Sequence, residues 1–161
     1  MHPALSIVVF TTLSGGGYGL LFLLGLGAPL GLLPPDPWFG AIALGKALTL
    51  IVVGLLASTL HLRRPERAWR AISQWRSSWL SREGLASLVT FLPAIVLAWG
   101  WVIAGRNDGL FAAAGYLAAA GALATVYCTA QIYASLKPIR QWRHPLVALL
   151  YLLFALAVGA T

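Results

Sequence analysis

Nearly every position is apolar in five long stretches of the chain, and four short polar connections separate them. The stretches show neither the one-sided stripe of an amphipathic helix nor the alternation of a strand, which is the pattern of helices surrounded by lipid or by one another. At roughly 20 apolar residues per bilayer crossing, the pattern predicts five spans, at about 4–27, 39–62, 84–104, 110–136 and 145–160. The expected fold is an all-α integral membrane bundle, a single membrane domain over residues 1–161. The connections read LGAPLGLLPPDPW, then an arginine-rich island, then GRNDG, then KPIRQWRH. Prolines in the first forbid a continuing helix. Pro3 and Pro145 stand at first helical positions, and Ser81 with Glu83 offers an N-cap and a carboxylate matched to the helix dipole. The fifth span is barely long enough and closes on Thr161, so a longer parent protein is expected.

Composition strengthens this picture. Of 161 residues 60% are apolar and only 9% charged, more apolar surface than one soluble core covers. The first span lacks a basic leader and a small-residue cleavage site, so it reads as a retained helix. A net charge of +7 would suggest nucleic acid in a soluble protein. Here the charges lie on inter-span connections, where they direct insertion and attract anionic lipid. The single cysteine, Cys128, lies in an apolar run, so the chain holds no disulfide or zinc set of its own, and any iron–sulfur cluster belongs to a partner.

The island from Leu60 to Gly84 holds six of the nine arginines, with His61 near its start and Glu83 near its end. A short helix from Pro65 places Arg63, Arg67 and Arg70 on one side with Trp69 nearby, which suits residues 63–83 as an amphipathic segment lying in the interface. Counting crossings, the N-terminus, the island and KPIRQWRH share one face and carry almost all the basic charge, so the positive-inside rule makes that face cytoplasmic. His2, His61, His144 and Glu83 fall on the same face. Thr11, Thr12, Ser14, Ser58, Thr59, Ser87, Thr90, Tyr127, Gln131, Tyr133 and Ser135 lie in the adjoining halves of the spans. Polar groups converging from several helices at one membrane face describe a pocket.

A ligand that lives in the bilayer and exchanges protons at its edge needs an apolar slot, hydrogen-bond partners and a base; a quinol fits. His61 is the natural base or acceptor, Glu83 receives or relays a proton, and Gln131 and Tyr133 hold the ring oxygens. Blander roles stay open: His61 anchoring a helix end, and Glu83 capping a helix or pairing with an arginine. Arg63, Arg64, Arg70, Arg76 and Arg82 serve either to dock a partner or to anchor in lipid. Trp69, Trp75, Trp79 and Trp142 suit an interfacial belt. Haem is disfavoured, because His2 and His144 precede helix-starting prolines at the water boundary. Ser14-Gly15-Gly16-Gly17-Tyr18-Gly19 lacks the Lys-Ser/Thr of a phosphate loop; Gly15, Gly19 and Gly25 form a small-residue packing face instead. Lys46 can snorkel to the far headgroups.

The segments MHPALSIVVFTTLSGGGYG, LHLRRPERAWRAISQWRSSWLSREG and IYASLKPIRQWRHPLV resemble the membrane anchor subunit of dimethyl sulfoxide reductase, the most specific part being Leu-His-Leu-x-x-Pro-x-Arg-Ala followed by Leu-Ser-x-Glu. The resemblance covers nearly the whole chain. It implies a heterotrimer in a bacterial inner membrane, serving anaerobic respiration. In it the anchor oxidises menaquinol as a bound substrate and passes electrons to an iron–sulfur subunit and a molybdopterin catalytic subunit. The anchor itself carries no haem, no metal and no catalysis on the terminal substrate. The family's quinol-site histidine matches His61, its functional acid Glu83, and the arginine of Pro-x-Arg-Ala Arg67. Family anchors have about twice this length and eight spans, and their described topology puts the N-terminus outside, against the charge bias of this chain. Competing readings are a passive tether without a quinol site and half of a small transporter; the latter requires midplane polar residues and broken helices, which the pattern lacks.

Overall fold

The computed structural model describes residues 3–59, 69–136, 142 and 144–161, with the backbone alone for Pro3, Ala4, Arg70 and Ala71. Regular structure among these residues is all helical: α1 (Pro3–Gly27), α2 (Pro37–Thr59), α3 (Trp69–Ile72), α4 (Trp79–Ala98), α5 (Gly109–Ala134) and α6 (Leu146–Gly159). A π-helical turn, Trp99–Ile103, continues α4. Leu5–Gly27, Pro37–Thr59, Trp79–Ile103 and Gly109–Ala134 are each long and apolar enough to cross a membrane. The protein is therefore a multi-pass membrane protein with an all-α fold. The fifth apolar helix, α6, has 14 residues, a length of about 21 Å against a hydrocarbon core of roughly 30 Å.

Helix starts follow local chemistry. The Asp36 carboxylate accepts a hydrogen bond from the Phe39 amide at 3.0 Å, and Pro37 behind it occupies the first helical position, where its missing N–H costs nothing. This moves the second span two residues earlier than its apolar run suggested. The third span also starts early. Ser78 is the N-cap of α4, its side chain accepting from the Ser81 amide, so residues 79–83 belong to the crossing helix rather than to an interfacial segment. The expected cap at Ser81 is corrected to Ser78. Of the island's own expected helix, the part from Pro65 to Ala68 lies outside the described residues; α3 supplies one turn of it.

Helix α1 is the hub: α2, α5 and α6 pack on it, while α4 packs on α5 and reaches α2 through the π turn. Without an apolar driving force between helices in lipid, close approach decides which pairs form. Gly19 meets the Ala155 backbone and Gly159 meets Gly19 and Leu20, so two glycines let α1 and α6 touch main chain to main chain; Gly25 and Gly115 do the same for α1 and α5. Gly19 and Gly25 thus act as the packing face expected of them. Gly15 does not, since a Cβ built there meets nothing within 4 Å. At the far end Trp101, fully buried, turns inward on the π turn and stacks obliquely on Phe39 at 5.9 Å between centroids. Leu88, Val89, Leu92 and Ile95 of α4 and Leu149, Leu150, Leu153 and Phe154 of α6 point outward, as lipid-facing side chains do.

Gly19→Leu therefore forces α6 off α1, and overpacking of this kind destabilises by about 1–3 kcal/mol. Gly45 is exposed on α2 with nothing within 4 Å, so Gly45→Leu meets no clash and is neutral or stabilising by up to about 1 kcal/mol, the helix-propensity gain over glycine. Thermal unfolding of the two variants in one detergent measures the difference.

Candidate functional site

The start of α4 is held by its own turn. Arg82 donates from Nε to the Trp75 carbonyl at 2.9 Å and from Nη2 to the Arg76 carbonyl at 2.8 Å, while its guanidinium lies 4.3 Å from the centre of the Trp79 ring. Trp79 in turn meets Tyr127 of α5 edge to face. These contacts lock the register of α4 one turn above Glu83 and aim that residue at α5. Glu83 is only 4% exposed. The Thr129 hydroxyl donates to its Oε1. With the cap at Ser78, Glu83 is the fifth residue of the helix rather than a capping carboxylate, and among the described residues no cation pairs with it.

Further hydroxyls lie near this residue on α4 and on the helices packed with it. Ser87 lies one turn further along α4 and donates to the Glu83 carbonyl at 2.8 Å. Thr125 lies one turn before Thr129 on α5 and donates to the Gly121 carbonyl at 2.9 Å. The Tyr18 hydroxyl of α1 lies beside Ser87 and Thr125, buried and without hydrogen-bond geometry to either. Tyr133 of α5 and Tyr151 of α6 stack at 5.5 Å. They, Tyr18 and Cys128 all lie within electrostatic reach of Glu83. Four helices thus place polar groups about one buried acid.

Beside the cluster lies a cavity of about 290 Å³ between α1, α5 and α6. Thr11, Thr12, Ser14, Tyr18, Thr129 and Tyr151 line it, together with Gly15 and the apolar Val126, Phe154 and Val158. Thr129 is common to both features: it lines the cavity, and its hydroxyl holds Glu83. Phe154, 66% exposed, and Thr12, also exposed, form the rim, so the cavity opens at the surface between α1 and α6.

The sequence candidates divide. Glu83, Thr11, Thr12, Ser14 and Ser87 come together with the cavity and its wall. Tyr133 joins them through Tyr151 and also meets Trp142 edge to face at 5.2 Å. Gln131 instead lines a separate cleft of about 250 Å³ with His144 and Pro145, and His144 Nδ1 accepts from the Leu146 amide at 3.2 Å. Ser58 and Thr59 donate to carbonyls within their own helix. Arg76 is exposed and lies 5.4 Å from the Trp75 ring centre. His61, Arg63, Arg64 and Arg67 lie outside the described residues, as does the side chain of Arg70. Sequence reasoning missed Tyr18, Thr125, Thr129 and Tyr151. The signal for two of them was the spacing of Thr125 and Thr129, which puts both hydroxyls on one helix face.

A family model for the DMSO reductase anchor subunit (DmsC) matches residues 1–161. A sulfite dehydrogenase subunit from Allochromatium vinosum is 38% identical over 175 aligned positions, covering 99% of this chain and 53% of that protein. The chain thus spans about half the length of this curated relative. No solved structure matches.

The Arg82 clamp makes a local prediction. Hydrogen bonds from a charged donor are worth about 1.5–3 kcal/mol, a figure reduced here by the partial exposure of Arg82. Arg82→Ala therefore frees the 75–78 turn, and amide hydrogen exchange there rises by at least about fivefold; Arg82→Lys, lacking the fork that reaches two carbonyls, restores less than half of the protection.

Proposed function

The chain belongs to the DMSO reductase anchor subunit family, and from that premise we propose that it is the quinol-reacting membrane anchor of a molybdopterin oxidoreductase, held to a catalytic subunit and an iron–sulfur subunit. One observation carries this reading: a carboxylate buried among hydroxyls beside a bundle cavity that opens to lipid, near the basic end of the helices. Intramembrane acids are expensive to keep and mark proton or ligand chemistry. The cavity volume is close to the lower end of the roughly 300–1,000 Å³ usual for small-molecule pockets, room for a ring with its tail left in the bilayer.

Oxidising a quinol to a quinone releases two protons and two electrons. In this reading menaquinol gives its electrons to the iron–sulfur subunit and its protons to Glu83 and His61, the two groups the family pattern assigns to the quinol site, with Arg67 nearby in sequence. Arg63, Arg64, Arg70 and Arg76 provide a basic surface for the partner. Arg82 is engaged with its own turn, and its contribution to docking is to hold the turn that carries Arg76. The cell membrane of a bacterium, and anaerobic respiration, follow from the same assignment.

The name of the Allochromatium vinosum relative supports a second direction of flow. A sulfite dehydrogenase removes electrons from its substrate, so its membrane subunit would reduce a quinone rather than oxidise a quinol. The same acid and base serve either direction, since a group that accepts a proton from a quinol returns one to a quinone.

The test uses membranes containing the assembled complex, supplied with menadiol and an artificial electron acceptor, or with sulfite and menadione. Glu83→Gln and His61→Ala are each expected to lower turnover at least about tenfold, the lower range for loss of a positioned acid–base group, with the partner subunits still bound to the membrane. Unchanged turnover in both variants would leave only the tether.

A further inference from the structure

We propose that the cavity between α1, α5 and α6 is the slot for the quinol ring, and that the Thr129 hydroxyl is the link through which the ring exchanges a proton with Glu83. This rests on the quinol reading above and adds to it the place of the ring and a residue with a defined step.

Glu83 lies behind the cavity wall rather than in it: Thr129 lines the cavity and Glu83 does not. A ligand in the slot therefore reaches the acid through a hydroxyl. The Thr129 proton has two acceptors, Glu83 Oε1 and, at 3.1 Å, the Thr125 carbonyl one turn back on α5. With its proton directed at either, the oxygen of this wall residue keeps lone pairs with which to accept from a ligand O–H.

The transfer follows from this geometry. As the Thr129 proton moves to the ionised Glu83 carboxylate, the ligand O–H proton moves to the Thr129 oxygen. One O–H bond breaks at the ligand and one forms at Glu83, while Thr129 ends as it began, a neutral hydroxyl. Moving both protons together avoids a free alkoxide in a low-dielectric site. The Thr125 carbonyl then offers the new hydroxyl proton a resting place that lets the product leave. The electrons go to the iron–sulfur acceptor named in the quinol reading.

Two hydroxyls of the α1 wall have the same polarity. Ser14 donates to the Phe10 carbonyl at 2.6 Å and Thr11 to the Ile7 carbonyl at 3.0 Å, so both meet a ligand as acceptors. Gly15 makes the room: it lines the cavity, and a side chain there points into open space without touching the packing.

Three variants of the assembled complex test the assignment: Gly15→Leu to fill the slot, Thr129→Val to remove the hydroxyl at constant shape, and Thr129→Ser to restore it. Anaerobic menadiol binding is read by quenching of tryptophan fluorescence, and turnover is measured on the same samples. Gly15→Leu is expected to weaken binding at least about tenfold, because a filled cavity has no space for the ring. Thr129→Val is expected to weaken binding by about three- to tenfold, the range for one lost hydrogen bond. It should also lower kcat at saturating menadiol by a further tenfold or more, with Thr129→Ser within about threefold of wild type in both. A wild type that binds menadiol together with a Gly15→Leu variant that binds it equally well would overturn the slot and leave the quinol reading standing. So would full turnover in Thr129→Val for the relay. A wild type that binds no menadiol would overturn both readings at once.

Discussion

A carboxylate held at membrane depth is the constraint on which the arrangement of this bundle depends. Burying an ionised group costs several kcal/mol unless donors replace its water, and the replacements here come from a neighbouring helix. Thr129 donates a hydrogen bond to Glu83, while Ser87 and Thr125 direct their own protons to helix carbonyls. Threonine and serine suit this work because each satisfies its donor within its own helix and still offers an oxygen outward. A helix pair that slipped by one residue would turn Thr129 away from Glu83 and leave the acid alone. The α4–α5 register is accordingly fixed from outside as well, by the Arg82 clamp and the Trp79–Tyr127 contact.

The cavity is a consequence of the same packing. Glycines bring α1 against α6 at Gly19 and Gly159 and against α5 at Gly25 and Gly115. These contacts lie in the C-terminal half of α1. Toward its N-terminal half the small residue Gly15 has no helix against it, and the aromatic Tyr151 on α6 and the β-branched Thr129 on α5 stand across the gap. Tight contact below and larger residues above splay the three helices into a slot. One stripe of small residues therefore both closes the bundle and opens the site.

The elements that were legible in the sequence are those set by local rules. Uninterrupted apolar runs defined the crossing helices, because lipid demands both apolar side chains and internally satisfied backbone. Glu83 stood out because it closes the polar island at the membrane edge, where an ionisable group needs a partner or a function. What stayed hidden depended on rotation about the helix axes. Gln131 and Tyr133 are two residues apart and lie on different faces, one toward His144 and the other toward Tyr151. A helix apolar all round gives no moment from which to tell those faces apart. Thr129 and Tyr18 looked like ordinary members of membrane helices, and only the fold brings them to the acid. The start of α4 was misplaced for a simpler reason: Trp79 and Leu80 were counted with the polar island around them, while Ser78 was the residue able to cap.

A membrane anchor that reacts with a lipid-dissolved ring has to admit the ring from the bilayer while denying water and ions a path to the acid. A carboxylate in the cavity wall would fail on the second count, since a charge facing an open slot draws water into it. In the proposed site, Thr129 between ring and acid would satisfy both demands. The slot keeps a wall of methyls, methylenes and neutral hydroxyl oxygens, and its opening between α1 and α6 faces hydrocarbon. The acid stays within one proton hop of the ligand, near the end of the bundle where the arginines gather. Protons collected there lie close to the basic connections and to water, and electrons leaving on the same side would meet a partner drawn by that charge. On the quinol reading proposed above, the separation of charge along the chain and the position of the buried acid serve one arrangement, in which ligand would enter from the side and protons and electrons would leave at one end.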